Sequence, residues 1–600
     1  MIRPLLCTWL LLAGCRTQPL APFDLGGEAA LDLARARGAP DLATAGARDL
    51  ASAEAPDFAR ADAAAPPTAR LLAPLSTARA SSRRPHLRWT ANAAVEVDLC
   101  PTRDCLVRLA TVNLDRDGGG GVPAIDLPPG VIFWRLRPAG STLAITPTWE
   151  LFIPSRSAPF DAARGTTLDV NGDGYADLAI AAQGPRAPGG TVYLYLGGPG
   201  GLAATPMAIH PVDDVAYFGT SLASAGDVNG DGYGDLLVSA VRTLDGISQR
   251  YVARAYVYLG GPAGLEPQPR VAEAPPVDAD LDQQLATVAP VGDVDGDGYG
   301  DVAIGSPYFT DGAYHQGQTA LFFGGADALA PTPTLLGGAA GTRAHLGIAL
   351  AGADLDGDGY SDVIAGAPGL EPTIATPLNR VYIYWGKKGG VDAGSPLILD
   401  GPSGDYGGFG RTLWTSDSDG DGHPELWAQD LPVVNDRFGP CHVFSYRFTG
   451  RQPRPPLTMP APGTATAFFG SPGQSGDLDG DGYDDIAIGD WNAAGANQQP
   501  AVGRVYVYFG GAAGTGTPLA LDGFDGAYSD FGLALATGDV DGDGRAELAV
   551  SAPSASDSAH ERYAGRVYLF AGSAMMPWPP PLRLDGLAGA SGYFGAALGL

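Results

Sequence analysis

A nine-residue acidic loop recurs seven times in this chain, each copy with side-chain oxygens at positions 1, 3, 5 and 9. The sets are Asp169, Asn171, Asp173 and Asp177; Asp227, Asn229, Asp231 and Asp235; Asp293, Asp295, Asp297 and Asp301; and Asp354, Asp356, Asp358 and Asp362. They continue with Asp417, Asp419, Asp421 and Glu425; Asp477, Asp479, Asp481 and Asp485; and Asp539, Asp541, Asp543 and Glu547. Such oxygen-only sets suit calcium, a hard cation that takes six to eight oxygens. The seventh position would add a backbone carbonyl, from Tyr175, Tyr233, Tyr299, Tyr360, His423, Tyr483 and Arg545 in turn. Positions 4 and 6 are Gly in every copy, as in Gly296 and Gly298. Glycine lets the chain wrap an ion through dihedrals that strain other residues. The prediction is about seven bound Ca²⁺ ions.

The loops are not EF-hands. An EF-hand closes with a bidentate Glu at position 12. Position 12 here is Ile180, Val238, Ile304, Ala365, Ala428, Ile488 or Val550. Each loop instead runs into a short apolar segment, such as residues 301–307, which reads as a strand.

The loop starts lie 58, 66, 61, 63, 60 and 62 residues apart, which marks a repeat architecture. A Phe-Gly pair often precedes the loop: Phe218-Gly219, Phe409-Gly410, Phe469-Gly470 and Phe531-Gly532. A Gly-Ala-Pro-like turn follows the second strand, as at Gly366-Ala367-Pro368. An alternating strand comes next, as in residues 380–386 and 504–511, and then a short one, as in 397–401. Four strands per period is what one propeller blade needs.

These three elements in fixed order resemble the FG-GAP repeats of the integrin α-subunit propeller and its bacterial relatives, over residues 156–600. The resemblance implies an all-β chain with a seven-bladed β-propeller and calcium in the hairpin loop between the first two strands of each blade. Blade 1 departs from the pattern: Phe160 stands at the Phe-Gly position without a following Gly. Blade 4 has Leu346-Gly347, and blades 5 and 6 replace Gly-Ala-Pro by Ala428-Gln429-Asp430 and Gly489-Asp490-Trp491. Tyr593-Phe594-Gly595 begins another first strand at the very end of the chain, which is expected to close the ring on blade 1; the alternative is the start of an eighth blade cut short.

Residues 1–14 read as a signal peptide. Leu12-Ala13-Gly14-Cys15 resembles a bacterial lipobox, implying lipid on Cys15. Arg16 after the Cys resembles the outer-membrane-sorted class, hence a cell-surface lipoprotein of a Gram-negative bacterium held to the membrane by lipid alone. Residues 15–70 are rich in Ala, Asp, Arg and Pro and read as a disordered tether. Residues 71–155 read as a small β-sandwich weakly resembling fibronectin type III, with Trp89 and Trp134 in its core. Cys100 and Cys105 flank a four-residue turn and are expected to pair in an exported chain. Cys441 is expected to be a buried free thiol.

The formal charge is −29, and the ligand positions of the seven loops account for −26 of it. The acidity is mostly ligand charge, and without a basic stripe nucleic-acid binding is disfavoured. The reading is a calcium-stabilised recognition or adhesion module for an extracellular protein or polysaccharide. The alternative is a propeller-type polysaccharide lyase or hydrolase. Its histidines share no repeat position, and neither Gly-x-Ser-x-Gly nor HExxH occurs. Asp311, Asp430 and Asp490 follow second strands and are the spare acids; solvated loop carboxylates are the plainer reading. Trp385, Trp414, Trp427 and Trp491 cluster in blades 4–6, and Trp491 is the candidate for a ligand-stacking patch, against a plainer reading of these residues as strand core.

Overall fold

The computed structural model describes residues 67–183, 189–243, 250–278, 286–310, 315–338, 343–369, 379–402, 408–431, 433–434, 437–438, 441–459, 461–463, 465–466, 468–495, 499–512, 514–556, 564–575, 578–586 and 592–600. Cys15, the leader, the tether up to residue 66, and Asp311 lie outside them. The described chain is all-β, with no helix.

Residues 69–164 form two packed sheets. One runs Ala69–Ala73, Leu87–Ala91, Gly120–Pro123, Val112–Leu114; the other runs Val95–Cys100, Gly130–Pro138, Trp149–Ile153, Ala78–Ala80, Ala163–Arg164. Their facing side chains share one core. Trp89 and Trp134 are buried in it, and Trp134 meets Trp149 edge to face at 5.9 Å. Cys100 and Cys105 are disulfide-bonded.

Seven four-stranded antiparallel sheets follow, the second with a short extra strand. Sheet 4 shows the plan: Leu350–Ala353, the acidic loop, Asp362–Ala367, Arg380–Tyr384, then Leu397–Asp400. The innermost strands of sheets 2–7 begin at Leu222, Thr287, Leu350, Leu413, Gly473 and Leu535. Sheet 1 has no innermost strand of its own ahead of its loop. Phe594–Gly599 supplies it, pairing with Leu178–Ala182.

Each innermost strand packs against the next, and the Phe594 strand touches those of both sheet 7 and sheet 2. Seven apolar clusters fill the seven spaces between neighbouring sheets, including the space between sheets 7 and 1. Among the described residues no sheet closes on itself through hydrogen bonds; packing makes the ring.

The alternation in the third strands does not separate core from solvent. Val381, Tyr382, Ile383 and Tyr384 are all fully buried, because a sheet lies on each side. The period-2 pattern instead sorts partners: Tyr382 and Tyr384 face sheet 3, and Val381 and Ile383 face sheet 5.

The Phe-Gly and Gly-Ala-Pro motifs meet between sheets. Phe409 packs on Tyr446 and Phe469 on Tyr506, about edge to face. A Cβ on Gly366 would lie 1.9 Å from the carbonyl oxygen of Gly410, and one on Gly305 equally close to that of Gly347. The glycines are there because two backbones touch. Phe160 does not play this role for sheet 1; it stacks on His423 at 4.1 Å, and Phe594 packs on Tyr193 instead.

Candidate metal centres

In sheets 2–7 the acidic loop turns the chain between the first and second strands, and loop 1 leads into the second strand of sheet 1. In loop 3 both oxygens of Asp293 accept backbone N–H groups, from Gly296 at 2.7 Å, Asp297 at 3.0 Å and Gly298 at 2.9 Å. Asp295 and Asp297 accept from the N–H two residues on. Asp301 accepts from Val294 and from Gly324 after the third strand, both at 2.8 Å. Gly296 and Gly298 have φ of 76° and 83°, and the glycines at positions 4 and 6 are left-handed in all seven loops. The motif thus folds its carboxylates inward over a tight coil. Asp173 accepts from Tyr175 N–H and Asp231 from Tyr233 N–H in the same way.

Five loops bring ligand oxygens of three carboxylates within 4.8 Å of one another. These are Asp293, Asp295, Asp297; Asp354, Asp356, Asp362; Asp417, Asp419, Glu425; Asp477, Asp479, Asp485; and Asp539, Asp541, Asp543. Loops 1 and 2, with Asn171 and Asn229 at position 3, form no such triple among the described residues. Burial, with neighbouring carboxylates adding to it, pushes Asp293 up to about 7 and Asp362, Asp485 and Glu547 up to about 8. Buried like charges at this spacing are what a divalent cation relieves, and an all-oxygen set fits calcium.

The side chain at position 7 has a role that the loop motif did not reveal. Tyr299 lies on Gly230 of the preceding loop, Tyr360 on Gly296, His423 on Gly357, Tyr483 on Gly420, Arg545 on Gly480 and Tyr175 on Gly542. The loops are linked edge to edge around one face of the ring.

The two-sheet unit sits on that face. Arg103, at the tip of the Cys100–Cys105 turn, donates to Gly172 O at 2.7 Å in loop 1 and to Gly232 O at 2.8 Å in loop 2. Its guanidinium lies 4.3 Å over the Tyr233 ring and pairs with Glu150 at 3.0 Å. Arg70 covers Tyr299 at 3.8 Å, and Arg156 covers Tyr483 at 4.2 Å and donates to Gly420 O. Arg164 pairs with Asp417 at 3.0 Å and Asp484 at 3.1 Å. No periodic signal marks these arginines, since each occurs once.

Two cavities open at this junction. One of about 330 Å³ lies between Arg88, Phe160 and Asp161 on one side and Asp354, Asp358 and Ser361 on the other. A second of about 270 Å³ runs along the ring axis between the innermost strands, with Arg79 and Arg164 in its wall.

Two expectations change. Trp491 is not an exposed stacking platform: it is 3% exposed and packed on Phe468 at 4.3 Å. Trp385, Trp414 and Trp427 are buried between sheets, as the strand-core reading expects. Asp430 and Asp490 are not solvated loop acids. Both are buried, and Asp490 accepts from the Thr466 N–H at 2.7 Å and its hydroxyl. Cys441 is a buried free thiol, as expected.

Comparison with known proteins agrees with this architecture. The FG-GAP repeat profile matches residues 286–322, 346–384 and 531–570, and the FG-GAP-like repeat profile matches 169–238 and 477–550. The chain carries FG-GAP repeats similar to those of integrin α-subunits. It is 36% identical to mouse (Mus musculus) integrin alpha-IIb over 27% of this chain and 16% of that protein. It is 37% identical to Xenopus laevis integrin alpha-5 over 26% of this chain and 15% of that protein. It is 32% identical to human (Homo sapiens) phosphatidylinositol-glycan-specific phospholipase D over 25% of this chain and 18% of that protein. The chain thus spans less than a fifth of each of these relatives. Among solved structures, a rhamnogalacturonan lyase aligns over 76% of this chain and 93% of its own, at 14% identity and a TM-score of 0.32. No helix among the described residues is long and apolar enough to cross a membrane.

Proposed function

We propose that this chain is a seven-bladed, calcium-stabilised β-propeller that acts outside the cell as a recognition or adhesion module for a protein or polysaccharide. The observation that carries the calcium reading is the convergence of three carboxylates in each of five loops. FG-GAP repeats shared with integrin α-subunits support an extracellular adhesion role. The small two-sheet unit, read as fibronectin III-like, fits a spacer between membrane and propeller. Lipid on Cys15 and an outer-membrane location rest on the lipobox-like Leu12-Ala13-Gly14-Cys15.

The test is retention of the mature chain on arrays of polysaccharides and extracellular proteins, in calcium and after chelation. Calcium-dependent retention without new chain ends supports the module. Release of product supports the lyase or hydrolase reading. Loss of membrane partitioning in Cys15→Ser tests the anchor.

A further inference from the structure

Phe524 and Tyr528 are the two most exposed of the Phe, Tyr and Trp side chains among the described residues, at 59% and 47%. Both lie on the loop between the last strand of sheet 6, Leu519–Asp522, and the first strand of sheet 7, which begins at Leu535. That first strand carries its acidic loop at its other end, so the two aromatic rings lie on the face opposite the acidic loops and the two-sheet unit. Phe524 meets Tyr568 at 5.0 Å and Phe570 at 6.3 Å between ring centroids, and most of its surface stays open.

The loop is fixed beneath these rings. The Asp525 carboxylate pairs with Arg566 and accepts from the Tyr568 hydroxyl at 2.7 Å. Tyr528 N–H donates to Pro500 O at 2.9 Å, and Ser529 Oγ donates to Val502 O at 2.9 Å. Tyr528 has a φ of 64°, a left-handed conformation that bulky residues rarely adopt. A half-exposed ring returns little burial to offset that strain, and strain held without a packing return marks a surface with a task.

The surroundings select the partner. The charges beside the rings are paired with one another: Asp522 with Arg504, Asp525 with Arg566, and Asp585 with Arg566 and Arg583. These three carboxylates and three guanidinium groups cancel, so they offer hydrogen bonds without a net field for a charged polymer. Two rings expose far less apolar area than the roughly 800 Å² per partner of a stable protein interface. A pyranose ring fits better. Its flat face of C–H groups is attracted to the negative face of an aromatic ring, and the hydroxyls at its edge can reach carboxylates and guanidinium groups. We propose that Phe524 and Tyr528 form a stacking site for the sugar rings of a neutral polysaccharide. This rests on the recognition reading above and gives that reading a site and a ligand class.

The experiment is affinity gel electrophoresis of the full mature chain in calcium, with dextran, mannan, galactan or xyloglucan in the gel and polygalacturonate as the charged control. The unsubstituted chain is run beside its Phe524→Ala, Tyr528→Gly, Phe524→Tyr and Tyr528→Phe variants. At least one neutral polymer is expected to retard the unsubstituted chain. Phe524→Ala and Tyr528→Gly are each expected to weaken that retention about tenfold, and the two variants that keep a ring are expected to preserve it. Tyr528→Gly removes the ring and relieves the left-handed backbone, so it separates lost binding from lost folding and stands in if Phe524→Ala does not fold. Retention unchanged in both Phe524→Ala and Tyr528→Gly would overturn the proposal and leave the recognition reading intact. Loss in one of them alone would overturn the two-ring site. Retention by polygalacturonate alone, or capture of an extracellular protein and of no neutral polymer, would overturn the ligand class. Retention by no polymer and no extracellular protein would sink the recognition reading along with the site.

Discussion

The ring of Tyr175 lies on Gly542, so close that a Cβ on that glycine would come 2.6 Å from Tyr175 Cε1. Tyr175 belongs to the first acidic loop and Gly542 to the seventh, so this contact closes the circle of loops. The same relation joins Tyr360 to Gly296, where the distance would be 2.2 Å. Gly296→Ala should therefore cost more than its positive φ alone, about 1–3 kcal/mol in all. Gly118 has a similar φ of 71° and nothing within 4 Å. Gly118→Ala is the control, at about 1 kcal/mol. Equal losses in denaturant unfolding would mean that the Tyr360 contact contributes nothing.

A second glycine prediction concerns the gap between sheets. Gly366 would set a Cβ against the backbone oxygen of Gly410 at 1.9 Å, and neither backbone can yield without opening the sheets. Gly366→Ala should destabilise at or beyond the top of the usual overpacking range, about 3 kcal/mol. A variant with a wild-type unfolding midpoint would refute the close-approach account of the motif.

Metal removal should show in the pH dependence of stability. In chelator, Asp293, Asp362, Asp485 and Glu547 are raised by burial above their unfolded values, to about 7 or 8. A raised carboxyl favours the folded state at low pH. Its contribution is complete below the unfolded pKa and is lost as pH rises through the folded one. Between pH 5 and 8 the chelated midpoint should fall. In excess calcium it should not, because the metal binds the deprotonated form. Scanning calorimetry in both conditions reads the difference, and a flat profile in chelator would exclude raised carboxyls.

Closure of the ring depends on Phe594, which is fully buried in the space between sheets 7 and 1. Phe594→Ala should cost about 3–5 kcal/mol. Deleting residues 593–600 should do more, since it also removes the strand paired with Leu178–Ala182. Retention of full stability by the truncated chain would show that the ring stands open at no cost.

Trp491 is now a packing residue rather than a ligand platform. Trp491→Ala should lower stability by about 3–5 kcal/mol and leave ligand retention per folded molecule unchanged. A folded variant that loses retention would restore the patch.

The repeat was legible in the sequence because it is local. Seven Asp-x-Asp/Asn-Gly-Asp-Gly loops each satisfy their own backbone N–H groups, and each precedes a strand written in the next few residues. Even closure at Phe594 could be read, because the terminal segment repeats the Phe-Gly that begins sheets 2, 5, 6 and 7. The tryptophans were harder: their type favours either a binding patch or a wide core, and only neighbouring sheets on both sides decide for the core. Phe160 was misleading, since its spacing imitated a motif whose partner tyrosine is taken by Phe594.

What the sequence by itself determined is the acidic loop, the four strands that follow its period, and the paired Cys100 and Cys105. The tertiary structure alone decided that the two-sheet unit lies across the loops, that Arg103 enters between loops 1 and 2, and that it pairs there with Glu150. Contacts repeated seven times leave a period in the chain. A contact made once, between residues far apart in sequence, leaves no pattern until the fold brings its two sides together.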